Sequence, residues 1–166
     1  MKLREARPEE LTLLREMRVK AYSPYAELIP SGHWDALRQS LQSEADQLPG
    51  AEFIVAEIEG KLAGSVVLFP PKSNAYDGLA DAAEYPEIRM LAVDETFRGK
   101  GAASALIEAC VDRSRDKGYR QIGLHTGEFM EPAIRLYERL GFRRFPEHDF
   151  QPADDGINVR AYRLEI

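Results

Sequence analysis

The spacing of apolar residues changes along this chain in a way that sorts it into strands and helices. Residues 2–6 read as a short strand, and Pro8 then stands where helices accept proline, in the first turn. Leu11, Leu14, Met17, Val19 and Ala21 carry that helix to the break at Ser23-Pro24. A second helix is predicted over 33–47 and is closed by Pro49-Gly50. Segments 51–58 and 61–69 are rich in Val, Ile and Phe, and Glu59-Gly60 between them is a two-residue hairpin signal. A strand over 87–93 leads into a helix over 100–117 that Gly118 stops. Strand 120–125 is followed by a helix over 132–140, with Ala133, Leu136, Tyr137 and Leu140 on one face and Gly141 at its end. Strands over 142–145 and 158–165 complete the order. The result is a mixed α/β chain, a single domain over 1–166 with no repeat or linker. Within 87–93, strict alternation puts Glu87, Arg89, Leu91 and Val93 on one face and Ile88, Met90 and Ala92 on the other.

Two segments break the periodicity. Residues 70–86 form a long connection between strands, which inside a compact domain marks function or mobility. It carries Asp77, Asp81 and Glu84 against Lys72, and is either a solvated loop or a lid that helps to bind an amine. The second break is the turn Arg98-Gly99-Lys100-Gly101-Ala102-Ala103-Ser104, where an apolar strand meets an alanine-rich helix. Unpaired backbone N–H groups at a helix start, together with the helix dipole, favour an anion. Small residues there let a phosphate approach the main chain.

Composition narrows what that anion belongs to. With 44% hydrophobic residues the chain can fill one core, and its net charge of -6 argues against a nucleic-acid partner. That acidity fits ordinary solubility as well as a cationic acceptor. The N-terminus has no apolar leader and no stretch is long enough to span a bilayer, so a cytoplasmic location and no membrane partner are expected. Cys110, the single cysteine, falls on the apolar side of a helix and reads as a core thiol. His33, His125 and His148 are dispersed and form no metal motif. No serine-triad pattern is present.

Three ligand classes compete for the 98–104 turn. A Walker loop needs a lysine followed by Ser or Thr after its last glycine, and Gly99-Lys100-Gly101 does not supply it. A dinucleotide fingerprint needs a third glycine where Ser104 stands, and an acidic ribose ligand where the next strand ends in His125. The third class is acyl-coenzyme A. Arg98-Gly99-Lys100-Gly101-Ala102-Ala103 resembles the Arg/Gln-x-x-Gly-x-Gly/Ala signature of the GNAT superfamily of N-acetyltransferases. Leu91-Ala92-Val93-Asp94 before it and Ala133-Ile134-Arg135-Leu136-Tyr137-Glu138-Arg139-Leu140-Gly141-Phe142 after it are similar to that superfamily's other recurrent segments. The element order matches over essentially the whole chain.

The resemblance implies the GNAT fold, a mostly antiparallel mixed sheet of about six to seven strands flanked by about four helices. It implies acetyl-CoA as acyl donor, no metal, and direct attack by an amine in a ternary complex. Leu91, Ala92 and Val93 would hold the pantetheine arm, and residues 98–104 (Arg98, Gly99, Lys100, Gly101, Ala102, Ala103, Ser104) the pyrophosphate. Ala133 and Met130 would line the arm; Met130 stands where many members carry an asparagine, replacing one polar contact with an apolar one. Tyr137 would be the proton donor to the leaving thiolate, and a backbone N–H of the 91–93 strand would meet the oxyanion.

Glu87, opening the strand along which the donor lies, is the candidate base, directly or through water; His125 and Glu84 are its reserves. The stretch 22–34 and the 70–86 segment would wall the acceptor site. The acceptor stays open among a polyamine, an amino acid, an antibiotic and a protein N-terminus. An edge strand near the C-terminus could pair in a homodimer. A domain that binds acyl-CoA without transferring it, and a nucleotide-binding enzyme, are the other classes the sequence permits.

Overall fold

In the computed structural model, which describes residues 1–73 and 83–166, the elements are β1 (Lys2–Glu5), α1 (Leu11–Tyr22), α2 (Ser31–Gln42), β2 (Glu52–Ile58), β3 (Lys61–Phe69), β4 (Glu87–Val93), α3 (Ala102–Asp116), β5 (Gln121–Gly127), α4 (Glu131–Arg139), β6 (Arg143–Arg144) and β7 (Val159–Glu165). One seven-stranded sheet runs in the order β1-β2-β3-β4-β5-β7-β6. All its pairs are antiparallel except β4 with β5. This is the mixed, mostly antiparallel sheet with four helices that the family resemblance implies.

Alternation along β2 and β3 builds a core on each face of the sheet. Ile54, Ala56, Val66 and Leu68 pack with Leu106, Ile107 and Cys110 of α3, and with Ile134 and Tyr137 of α4. Phe53, Val55, Val67 and Phe69 pack on the other face with Leu14 of α1 and Leu41 of α2. Each fully buried aliphatic side chain contributes about 1.5–3 kcal/mol. The β2–β3 hairpin closes at Glu59 (φ 54) and Gly60 (φ 74), the two positive φ values that such a turn demands.

Several ends differ from the expected ones, each for a local reason. Pro8–Glu10 is a single 3-10 turn, so α1 proper starts at Leu11. The second helix stops at Gln42 because Ser43 is extended; its hydroxyl donates to the Ser40 carbonyl at 2.7 Å and accepts from the Ala45 N–H at 3.4 Å. The separate turn that follows, Glu44–Gln47, places Asp46 between Arg15 (2.7 Å) and Arg18 (2.8 Å). The third helix begins at Ala102, since Gly101 at φ 82 lies outside helical space. Strand β5 runs on to Gly127, which pairs with Val159. The proposed 70–86 lid has its residues 74–82 outside the described ones; its flanks meet where the Lys72 N–H donates to the Ala83 carbonyl at 2.7 Å.

Candidate functional site

The parallel pair β4–β5 is short. Glu87 pairs with Gly123 and Ile88 with Leu124, and beyond them the ladder stops. A bulge in β4 lies at that point: between Val67↔Arg89 and Ser65↔Ala92 the strand spends one residue more than β3 does. Met90 adopts φ 58, a left-handed conformation that a side chain other than glycine takes at some cost. Where the two strands part, a cavity of about 670 Å³ opens, walled by Ile88 through Val93 on one side and by His125, Thr126 and Gly127 on the other.

The bulge also corrects the strict alternation expected for 87–93. Glu87 pairs with Phe69 and Arg89 with Val67, so both face α1 and α2. Met90 packs into that same core, whereas Leu91 and Val93 pack on the α3 side. Glu87 and Arg89 therefore share a face with each other and not with Leu91 and Val93.

At one end of the cavity lies the glycine turn. Gly99 (φ 77) and Gly101 (φ 82) hold backbone shapes that favour glycine, and a Cβ at either would project into open space. Gly101 caps α3 without any side-chain hydrogen bond, which leaves the first N–H groups of a 15-residue helix pointing outward. Arg98 and Ala103 lie in the cavity wall, and Ala102 is buried. Lys100 stands 5.7 Å over the Phe97 ring. The turn is pinned from behind by Asp94, which accepts from the Thr96 hydroxyl at 2.6 Å and the Thr96 N–H at 2.9 Å; these bonds hold its carboxyl below the ordinary range. The residues present thus fit a pyrophosphate: an uncapped helix start, a main chain open to close approach, and Arg98 beside it.

Further in, α4 supplies Ala133, Leu136 and Tyr137 to the wall, and Met130 joins them from the position just before the helix. Tyr137 is 7% exposed, and its ring meets Phe142 edge-on at 6.0 Å. Met130 turns its sulfur toward the Thr126 hydroxyl, which donates to it at 3.5 Å, so its contribution to the cavity is apolar, as the sequence suggests.

His125 lines the cavity, and Glu87 stands beside it with Oε1 3.6 Å from Nδ1. The ring's other nitrogen, Nε2, lies 3.0 Å from the His148 carbonyl. A carbonyl only accepts, so Nε2 carries a hydrogen and a neutral His125 turns the Nδ1 lone pair toward Glu87. The two groups can hold one proton between them. His148, distant in sequence, thereby meets His125 through its main chain. Cys110 is fully buried away from this cavity, and burial pushes its thiol up to about 12. Among the described residues no group of three or more His, Cys, Asp and Glu could hold a metal, and no helix is long and apolar enough to cross a membrane.

The far wall, for which the sequence indicates the stretch 22–34 together with 70–86, is aromatic among the described residues. Tyr25 meets Tyr22 at 6.2 Å and Phe129 at 5.6 Å, both edge-on; His33 meets Phe129 at 5.8 Å and Phe150 meets His125 at 5.4 Å. His33 Nδ1 also reaches Asp155 at 2.8 Å, tying α2 to the segment before β7. Phe129, Phe150 and Arg89 are not singled out in the sequence as wall residues. No spacing signals them, because only the parting of β4 and β5 brings residues 22, 89, 129 and 150 around one space. Glu84, the reserve carboxylate, is exposed and pairs with Lys72 at 3.6 Å.

The sequence profile of the Acetyltransferase (GNAT) family matches residues 13–142. Mycothiol acetyltransferase of Cellulomonas flavigena is 39% identical over 95 residues, covering 57% of this chain and 27% of that protein. N-acetylaspartate synthetase of Xenopus tropicalis is 31% identical over 134 residues, covering 77% and 46%. The chain thus spans half or less of the length of these two relatives. Among solved structures, an acetyltransferase of the GNAT family from Staphylococcus aureus superposes with a TM-score of 0.72 at 15% identity, covering 99% of this chain and 98% of its own. A putative streptothricin acetyltransferase from Bacillus anthracis in complex with acetyl coenzyme A gives 0.57 at 19% identity over 71% and 64%.

Proposed function

Because the chain belongs to the acetyltransferase (GNAT) family, we propose that it moves the acetyl group of acetyl-CoA to an acceptor amine by direct attack in a ternary complex. One observation carries this reading: a single cavity runs from the uncapped start of α3, through the parting of β4 and β5, to Tyr137 and to His125 with Glu87 behind it.

Bound acetyl-CoA supplies an activated thioester. The residues of this chain supply the rest. Residues 98–104 hold the pyrophosphate with main-chain N–H groups and the Arg98 charge. Leu91, Ala92 and Val93, released from pairing with β5, offer main-chain groups to the pantetheine arm, and one N–H among them meets the oxyanion. Met130 and Ala133 pack on the arm from the start of α4. Aliphatic amines are neutral in roughly one molecule in two thousand at pH 7, so a proton must leave before attack. Glu87, which stands behind His125 and outside the cavity wall, takes it through an intervening water, with the Nδ1 lone pair of His125 3.6 Å from the carboxyl that receives it. The Tyr137 hydroxyl donates to the departing thiolate. The named relatives act on different acceptors, so they leave the acceptor of this chain open.

A thiol-release assay with acetyl-CoA across chemically diverse amines, run beside a thermal-shift screen of CoA, ATP and NAD, tests the reading. Thiol release with at least one amine and stabilisation by CoA alone are expected. CoA stabilisation without thiol release from any amine would make this a binding domain, and stabilisation by ATP or NAD in competition with CoA would make it a nucleotide enzyme.

A further inference from the structure

The acceptor half of the cavity has its own chemistry. Tyr22, Tyr25, Phe129 and Phe150 wall it, and the charged side chains in that wall are Arg89 and Arg98. No aspartate or glutamate lines the cavity among the described residues, since Glu87 stands behind His125. Arg98 belongs to the turn at the start of α3. Arg89 belongs to the acceptor: it lies on the α1–α2 face of β4, two residues from Glu87, which is about 6.6 Å along a strand.

We propose that the acceptor is an amine that also carries a carboxylate and an apolar substituent, as a free hydrophobic amino acid does, and that Arg89 receives the carboxylate. The inference rests on the transferase reading. The Arg89 guanidinium stands 5.3 Å over the Phe69 ring, whose face attracts the cation. Five N–H donors in its planar fork serve a ligand carboxylate in bidentate fashion along with their own neighbours. Burial pushes the Tyr22 phenol well up and keeps it an O–H donor, with Arg18 and Arg89 both near enough to pull the other way. An amino acid bound there directs its ammonium toward Glu87 and His125 and its side chain onto the rings. A polyamine would instead bring several positive charges toward a wall whose charged groups, among the described residues, are arginines.

The experiment compares matched pairs with the full chain and acetyl-CoA: phenylalanine against 2-phenylethylamine, leucine against 3-methylbutylamine, and spermidine beside them. We expect kcat/KM at least thirtyfold higher for the carboxylate-bearing member of each pair. Arg89→Gln should bring that ratio close to one. Arg89→Lys, which keeps the charge but not the fork, should retain part of it, and decides the matter if the glutamine variant fails to fold. Pairs that react equally, a preference for spermidine, or a ratio untouched by both substitutions would overturn the carboxylate site while leaving the transferase standing. CoA binding with no thiol release from any amine would remove the transferase reading, and this inference with it.

Discussion

Tyr137 and the Glu87–His125 pair approach the cavity from opposite faces of the sheet, one from the α3–α4 core and the other from the α1–α2 side. In the proposed reaction this would keep the donor for the thiolate apart from the acceptor for the ammonium proton, so that neither neutralises the other. Tyr137→Phe should lower kcat at least tenfold while leaving acetyl-CoA affinity nearly unchanged, read by steady-state kinetics and by calorimetric titration with CoA. Unchanged turnover would remove the tyrosine from the chemistry. Glu87→Gln should lower kcat about a hundredfold and alter the acidic limb of the kcat/KM–pH profile; a limb that coincides with the parent's would place the base elsewhere. His125→Gln is the sharper probe of the pair. A glutamine amide can still donate to the His148 carbonyl, so what it loses is the nitrogen facing Glu87. The positions of Tyr137 and Glu87 are legible in the sequence, the one on the inward face of a strongly patterned helix and the other at the start of a strand, while the role proposed for Tyr137 comes from the family resemblance. Arg89 in the same strand is visible there only as a neighbour of Glu87, because the wall it joins forms only where β4 and β5 part.

Elements explain why the anion end was easier to read than the acceptor end. The 98–104 turn is local: small residues, a positive-φ glycine at the helix boundary and an unfilled cap all follow from seven consecutive positions. Its electrostatics can be tested on their own. Arg98→Ala should weaken acetyl-CoA binding about tenfold at low ionic strength, with the gap narrowing as salt is added. A loss that salt does not change would assign Arg98 a packing role. The second helix shows the converse. Its hydrophobic pattern runs on past the true end, and only the extended backbone of Ser43 separates α2 from the turn carrying Asp46. Propensity is silent on such a break, because the ion pairs that favour it come from α1, some thirty residues away.

At the scale of the whole molecule, Asp46 ties α1 to the segment leading into β2. It is 1% exposed, and Arg18, also buried, donates both to it and to the Leu41 carbonyl at 2.9 Å. Burial alone would raise the Asp46 carboxyl, but the hydrogen bonds from Arg15 and Arg18 hold it below the usual carboxylate range. A depressed folded-state value means that the stabilisation is present above the unfolded value near 3.9 and is lost as pH falls below it. Asp46→Asn should therefore cost about 3 kcal/mol in urea unfolding at pH 7, and the gap from the parent should narrow at pH 3. An equal gap at both values would mean that shape, not charge, is what Asp46 contributes. The overall architecture was legible in the sequence because element order and the two alternating cores survive small errors at element ends. The cavity was not, since it opens beside a bulge of one residue that no periodicity announces. Without Met90, Glu87, Ile88, Arg89, Leu91, Ala92 and Val93 would alternate regularly, and each would keep the face it has now. A chain with that single codon deleted would thus keep the α3-side core, lose one side chain from the other, and regain an unbroken pairing of β3 with β4. It would also let β4 run flat alongside β5, folding into a sheet that has healed over its own cavity.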